Sequence, residues 1–534
     1  MKYRILCALG FLSLLILLPA LLKDSPPDPG RPVSGSDTLI VITPHAESIK
    51  YEFERGFRKY YQAKYNRDIT IDWRSPGGTA DIVRYINDRY EAAFRRYCEE
   101  KSLPWNPEIA AAFRNYRIKP DSSLYASPEA RARAEFLRSD VSIGIDVFFG
   151  GGTYDHSNQA RKGYAVDAGI KKLHPEWFSK DVMPESWSGE AIYDPNGGYY
   201  GVCLATFGIC CNPDRIKTIG KKPTCWSDLA AKEYFNQLAV ADPTKSGSIN
   251  KCFEVIIQQC MAEAVKVNKT PADGWNDGFA LIRRLVGNAR SISESAGKVT
   301  REVASGNAAA GMAIDFYALS EAQFIEQQTG NKNIRRIEYI PPEGGSSVSA
   351  DPVQMLRGAP NARQARAFIE FLLSESGQIL WQYRAGTPGG PEKYTLRRPP
   401  VRRDIYTAKH HKYMADDNYN PYSATGNFEY KAQWTGRYFN LIRVLIRTTM
   451  LDASDELQAA WKAICDAGGA ESVPQAAAEF DRAIVPYHEA AQAAAKLSVN
   501  SQNPMSEVIK LRRNWTMQAI DHYRKARKLA NQGK

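Results

Sequence analysis

Five short polar clusters carry the side chains suited to gripping a small molecule. The first is His45, Glu47 and Ser48, an imidazole, a carboxylate and a hydroxyl within four positions. The second is Gly77, Gly78 and Thr79, and the third Gly151, Gly152 and Thr153. In both, glycines let backbone approach a ligand while a hydroxyl stands where a helix starts, and the first amides of a helix attract anions. The fourth, Thr244, Ser246, Gly247 and Ser248 around Lys245, joins hydroxyls, exposed amides and one positive charge into an oxyanion cradle. The fifth is Asp315 with Tyr317, an acid and a phenol closing the apolar run that starts at Gly311. Each has an ordinary structural reading beside the chemical one: Asp315 and Thr79 as helix caps, Tyr317 and His45 as packed residues, the glycines as tight turns. The fourth cluster lacks the Gly-x-x-x-x-Gly-Lys-Ser/Thr spacing of a nucleotide-hydrolysing loop. No nucleophile and base stand at recognisable spacing, so catalysis is not expected.

The elements that must hold these clusters are read from hydrophobic spacing. Asp37 to Ile42 is predicted as a strand, followed by a helix on Ile49, Phe53 and Phe57. Ile69 to Trp73 is a second strand, Ile143 to Phe149 a third, Tyr199 to Ile209 a long fourth, and Leu238 to Ala241 a fifth. Trp226 to Leu229 opens a helix, residues 275–287 form an amphipathic one, and 292–304 a strand-turn and helix. Each polar cluster therefore follows a strand and precedes a helix. In α/β layers ligands collect beyond the carboxyl ends of the strands, so the clusters are expected to share one cleft.

Composition bounds the rest. Hydrophobic residues make up 43% of 534, which supports folded cores over most of the length. The net charge of +11 is dispersed along the chain, which favours small anions and argues against nucleic acid. Residues 1–22, two early positive charges before an uncharged apolar run over 5–22, read as an export signal or an N-terminal membrane anchor, and 23–37 as a flexible linker. That places the protein in the periplasm or otherwise outside the cytoplasm, where the cluster of six cysteines from Cys203 to Cys260 could form disulfides.

Taken in order, Leu39 to Ile42 with His45 and Glu47, Asp146 to Phe149, the strand around Val202, Trp226 with Asp228 and Leu229, the Asp242 to Ser248 turn and Gly311 to Tyr317 are similar to the extracellular solute-binding proteins of ABC importers, in particular the ferric-iron-binding branch. The resemblance runs over residues 38–403 with a break at 90–137, and includes Ala367 to Ser374 and Gln378. It implies a two-lobe, type II periplasmic-binding-protein-like α/β fold, a ligand held between lobes joined by crossover strands, and delivery to an ABC-type permease of the inner membrane. It further implies a monomer without a resident cofactor. The implied division is a first lobe over 38–146 with a helical insertion at 90–137, a second lobe over 147–312, and a return to the first lobe over 313–404.

Ferric-binding relatives use a His, an acid and two adjacent Tyr residues. His45 and Tyr317 match; Phe316 stands where the other phenol would be, and Gly151 or Gly152 where the acid would be. Losing two hard oxygen donors shifts the expectation toward an organic or phosphorylated anion, with ferric iron on His45, Glu47, Asp315 and Tyr317 as the alternative. Outside this class stand an envelope scaffold and an envelope hydrolase. Residues 405–534 exceed the family's usual length and read as a helical extension, with helices over 430–450, 454–466, 474–497 and 505–529, that covers the lobes or forms a small domain of its own. Arg443, Arg447, Arg512 and Arg513 suggest a basic face on it for a partner or a membrane.

Overall fold

The computed structural model describes residues 36–119, 127–331, 333–416, 419–424, 428–497 and 504–532. The expected export signal at 1–22, nearly all of the 23–37 linker and part of the 90–137 insertion lie outside these. Among the described residues no helix is long and apolar enough to cross a membrane.

Strand β1 (Asp37–Ile42) leads into α1 (Glu47–Tyr65), β2 (Ile69–Arg74) into α2 (Thr79–Glu100). Helices α3 (Pro107–Ala112) and α4 (Pro128–Arg138) follow, then β3 (Val147–Phe149), α5 (Thr153–Lys162), β4 (Ala165–Val166) and a small hairpin of β5 (Ser186–Trp187) and β6 (Glu190–Ala191). β1 pairs in parallel with β2 on one side and β3 on the other. Alternation along the strands feeds two cores: Val41 and Phe149 point to one with Phe53, Phe368 and Trp381, while their neighbours Ile42 and Phe148 point to the other with Ile82, Tyr90, Phe94 and Phe136. The expected surface insertion at 90–137 is thus partly core. Residue 90 falls inside α2, and Phe94, Cys98, Ile109, Phe113 and Phe136 are buried with the sheet.

The long strand is β7 (Tyr200–Cys211), all twelve residues buried. Residues Tyr200 to Thr206 pair antiparallel with β12 (Val348–Leu356), which also pairs with β3. Residues Phe207 to Cys211 pair instead with β10 (Ala310–Ile314) and β11 (Glu338–Ile340). β8 (Leu238–Ala241) and β9 (Ala289–Ser293) continue beyond β10 in parallel. The expected boundary at 146/147 is therefore displaced: β3 and α5 belong to the first sheet, and the chain changes lobe in the middle of β7, near 206. β12 carries it back. A bulge at Asp351 and Pro352 accommodates the proline, which has no N–H to give the ladder.

Helices α6 (Gly247–Lys266), α7 (Pro271–Gly287), α8 (Ala296–Ala304) and α9 (Asp315–Thr329) complete the second lobe, and α10 (Ala362–Leu373) returns to the first. The extension contributes α11 (Phe439–Ile446), a π-helical turn over Arg447–Leu451, then α12 (Ser454–Asp466), α13 (Pro474–Phe480), α14 (Ala490–Lys496) and α15 (Met505–Gln532). The expected 474–497 helix is broken into α13 and α14. These helices are not a separate domain: Leu441, Ile446, Trp461, Phe480 and Tyr523 share one core with Ile209, Phe253, Trp275 and Val286. Trp461 donates to Asn288 Oδ1 at 2.6 Å and lies so close to Gly287 that a methyl group there would come within 2.6 Å of its ring.

The eight described cysteines are all free, against the expectation of disulfides. Cys203, Cys210 and Cys211 lie along β7 inside packed cores, and adjacent Cys210 and Cys211 face opposite sides of a strand.

Candidate functional site

Every predicted cluster lies at the carboxyl end of its strand, and contacts link them into one site. In the first lobe Gly150, at φ +95°, admits the His45 ring, since a methyl group there would lie 2.5 Å from it. Gly151, at φ +110°, likewise admits Thr79. Across the cleft a methyl group on Gly78 would lie 3.9 Å from the Lys245 carbonyl oxygen, so the two lips touch.

The floor is built by residues that sequence reasoning did not single out. Arg398 Nη1 donates to Asp351 Oδ2 at 2.6 Å, and His45 Nε2 sits 3.3 Å from both groups. Nε2 either donates to the carboxylate or accepts from the guanidinium. Burial lowers the His45 pKa, more strongly than the neighbouring Asp351 raises it. Against the effect of burial, Arg398 and His45 hold the Asp351 carboxyl well below the usual range. Yet His45 Nδ1, Asp351 Oδ1 and Arg398 Nε have no hydrogen-bond partner among the described residues and are shielded from solvent. The Arg398 guanidinium stands 4.3 Å over the Phe316 ring. A phenyl at the position expected for a second phenol thus receives a cation on its face.

The fifth cluster divides. Asp315 is buried and accepts from Thr206 N at 2.9 Å, Thr206 Oγ1 at 3.1 Å and Phe316 N at 2.7 Å, tying the start of α9 to the middle of β7. Thr206 Oγ1 also lies 3.0 Å from the hydroxyls of Tyr339 and Tyr419, the latter from the extension. Tyr317 is 37% exposed, although Arg398 and Asp351 act on its phenol. A side chain that is accessible yet close to buried charges lies in a concavity.

Several expected ligand groups are otherwise engaged. Glu47 is 88% exposed and pairs with Lys50. Asp242 takes Thr244 N and Oγ1 on one oxygen and Arg447 on the other, at 2.6 Å. Ser246 caps α6 through Ile249 N and lies 3.1 Å from the Ser248 hydroxyl. Thr79 does not cap its helix: Gly78 takes that position, with Asp81 accepting from its N–H. Ser48 and Thr153 are half-buried, and Gly77 is exposed.

Three helix starts at this edge leave their first amides open. α1, α2 and α5 begin after Ala46, Gly78 and Gly152 with no side-chain oxygen on the first amides, whereas in the first turn of α9 Asp315 Oδ1 accepts from Phe316 N. At the same edge α6 is capped by Ser246. Away from it, α3, α4 and α7 are capped by Asn106, Ser127 and Thr270, while α10, α12 and α13 are not capped. Uncapped amides carry partial positive charge that an anion can satisfy. Among the described residues no group of three His, Cys, Asp or Glu side chains is gathered to hold a metal ion.

Two buried groups give opposite pH responses. Burial pushes the Asp315 carboxyl up to about 6, despite its hydrogen bonds, so between pH 6 and 4 the folded chain holds a proton that the unfolded chain releases, and stability rises as pH falls. Burial pushes His156 down to about 4, so the unfolded chain takes up a proton below pH 6.5 and stability is lost on acidification. From pH 6 to 4 the two offset one another. Asp315→Asn is expected to expose the His156 response, steepening the acid loss by about 3 kcal/mol over that interval relative to wild type. Urea midpoints at pH 6 and 4 check this; parallel losses in both proteins would contradict the assignment.

Residues 145–402 match the family model described as bacterial extracellular solute-binding protein. An uncharacterized protein of Haemophilus influenzae is 24% identical over 287 residues, 53% of this chain and 73% of its own length. The phosphoglycerate transport regulatory protein PgtC of Salmonella typhimurium is 28% identical over 180 residues, 34% of this chain and 39% of that protein. Among solved structures, apo ferric ion-binding protein A of Pasteurella haemolytica superimposes with a TM-score of 0.48 at 13% identity, covering 77% of this chain and 97% of the other.

Proposed function

We propose that this protein, whose residues 145–402 match the family model of bacterial extracellular solute-binding proteins, captures a small phosphorylated or carboxylated organic anion between its lobes and delivers it to an ABC-type permease, without turning it over. The observation that carries the anion is the set of uncapped helix starts at the cleft, after Ala46, Gly78 and Gly152, above a floor bearing the Arg398 guanidinium. Iron is the poorer fit. His45 sits 3.3 Å from that guanidinium, Asp315 spends its oxygens on backbone and Thr206, and Glu47 faces solvent. A fixed cation beside a would-be metal ligand opposes a trivalent ion electrostatically. The name of the PgtC relative makes phosphoglycerate the first compound to try. An exported chain held near the membrane by residues 1–22 suits the same role.

The test is native mass spectrometry with elemental analysis of protein purified without chelators, followed by thermal-shift titration with phosphoglycerate, inorganic phosphate and ferric citrate. A bound phosphorus-containing or carboxylated compound, no stoichiometric iron, and a melting temperature raised by the matching anion are expected. Stoichiometric iron with a charge-transfer band lost in Tyr317→Phe would overturn the anion. Conversion of the compound to a product would overturn the binding role.

A further inference from the structure

Phe439, Arg443 and Arg447 follow one another at four-residue spacing, so they form one stripe along α11 and the turn after it. Both ends of that stripe are placed by contacts. The Phe439 ring lies 4.8 Å from Tyr154 in the first turn of α5, and its carbonyl accepts from Asn250 Nδ2 in the first turn of α6 at 2.9 Å. Arg447 donates to Asp242 at the end of β8 at 2.6 Å. α5 belongs to the first lobe and β8 with α6 to the second. Arg443 therefore stands over the seam between the lobes, beside two helix starts.

Its guanidinium is close enough to act on both Tyr154 and Asp155, and packs 5.1 Å from the Phe439 ring. It makes no ion pair among the described residues, and its Nε is out of solvent with no hydrogen-bond partner. The nearby acids do not consume it. Burial raises the Asp155 carboxyl, which Arg443 and Lys162 oppose, and Glu254 is engaged by Lys251, Tyr430 and Thr435. A second sign of a ligand is at the floor of the cleft, where His45 and Arg398, with side chains 6% and 2% exposed, keep Nδ1 and Nε unpartnered. Holding an unpaired guanidinium at a seam has an electrostatic cost that an anion arriving there would offset.

We propose that Arg443, supplied by the C-terminal extension, contacts the phosphate of the ligand at the cleft mouth and sets the preference for phosphorylated over unphosphorylated solutes. This rests on the anion reading above. The extension is then part of the binding site and not only a cover for the second lobe.

Calorimetric titration with phosphoglycerate and with glycerate, the same skeleton without phosphate, tests it in wild type, Arg443→Met, Arg443→Gln and Arg443→Lys. Both neutral variants should bind phosphoglycerate about 10- to 100-fold more weakly with glycerate affinity unchanged, and Arg443→Lys should recover part of the loss. Circular dichroism identifies any variant that fails to fold, and the other neutral one then decides. Wild-type protein that binds phosphoglycerate while the folded neutral variants bind it equally overturns the role of Arg443 alone. Wild-type protein that binds neither compound overturns the phosphate reading beneath it.

Discussion

A chain ending at residue 404 is expected to be recovered in the insoluble fraction, because the extension completes the second lobe. Leu441, Ile442, Ile446, Leu457, Trp461, Ile464 and Phe480 are buried in the same core as Trp275, Ile282 and Val286. At about 1.5–3 kcal/mol for each large apolar side chain, exposing the partners of even half a dozen matches the roughly 5–15 kcal/mol by which a folded domain is stable. Polar losses add to this. Asp242 would be left buried without Arg447, Trp275 without the Val485 carbonyl, and Glu254 without Tyr430 and Thr435. Fractionation of expressed fragment 36–404, with dye binding to exposed apolar surface, is the measurement. A soluble fragment with a cooperative melt near that of the full chain would show the extension to be dispensable.

Lys251→Met is expected to cost about 3–5 kcal/mol at pH 8, the usual penalty for breaking a buried ion pair by removing one partner. Lys251 Nζ is 2.5 Å from Glu190 Oε1, 2.9 Å from Glu254 Oε2 and 3.6 Å from the centre of the Tyr430 ring. Burial alone would lower the lysine, but the two carboxylates outweigh it and hold the ammonium charged. Burial already raises the Glu190 carboxyl against the pull of Lys251. Without the lysine it must rise further, and a carboxyl raised in the folded state stabilises as pH falls. The loss should therefore shrink toward pH 5, and Lys251→Met combined with Glu190→Gln should recover part of it at pH 8. Urea midpoints at both pH values decide; a loss below about 1 kcal/mol, or one independent of pH, would mean the cluster is not charged as described.

Much of the architecture was legible because it rests on local pattern. The strands at Asp37, Ile69, Leu238 and Ala310 and the clusters that follow them stand where alternation and glycine punctuation place them. The partition into lobes was not legible. An apolar run such as β7 shows its burial but not that its halves serve different sheets, so the boundary was set too early, at 146/147. The floor of the cleft was missed for a related reason. Asp351, Arg398 and Thr206 come from β12, a late segment and β7, and nothing in their local sequence announces the juxtaposition, although Pro352 inside a buried strand was a sign of the bulge. The extension's helices were found, but their attachment to the second lobe depends on shape: Trp461 fits against Gly287. The basic face expected there is split. Arg447 is consumed internally, and Arg443 turns inward over the seam.

The shared strand has a consequence for how the protein is made. In chain order Tyr200 to Thr206 come long before β12, the only strand that pairs with them in the first sheet among the described residues. The whole second-lobe sheet must be delivered in between, and that lobe in turn waits for helices that lie beyond the end of the first. Throughout that interval β7 presents an open apolar edge, the feature that seeds wrong pairing between nascent chains. The topology thus leaves the first sheet incomplete until β12 is made and the second lobe's core incomplete until the last helices arrive.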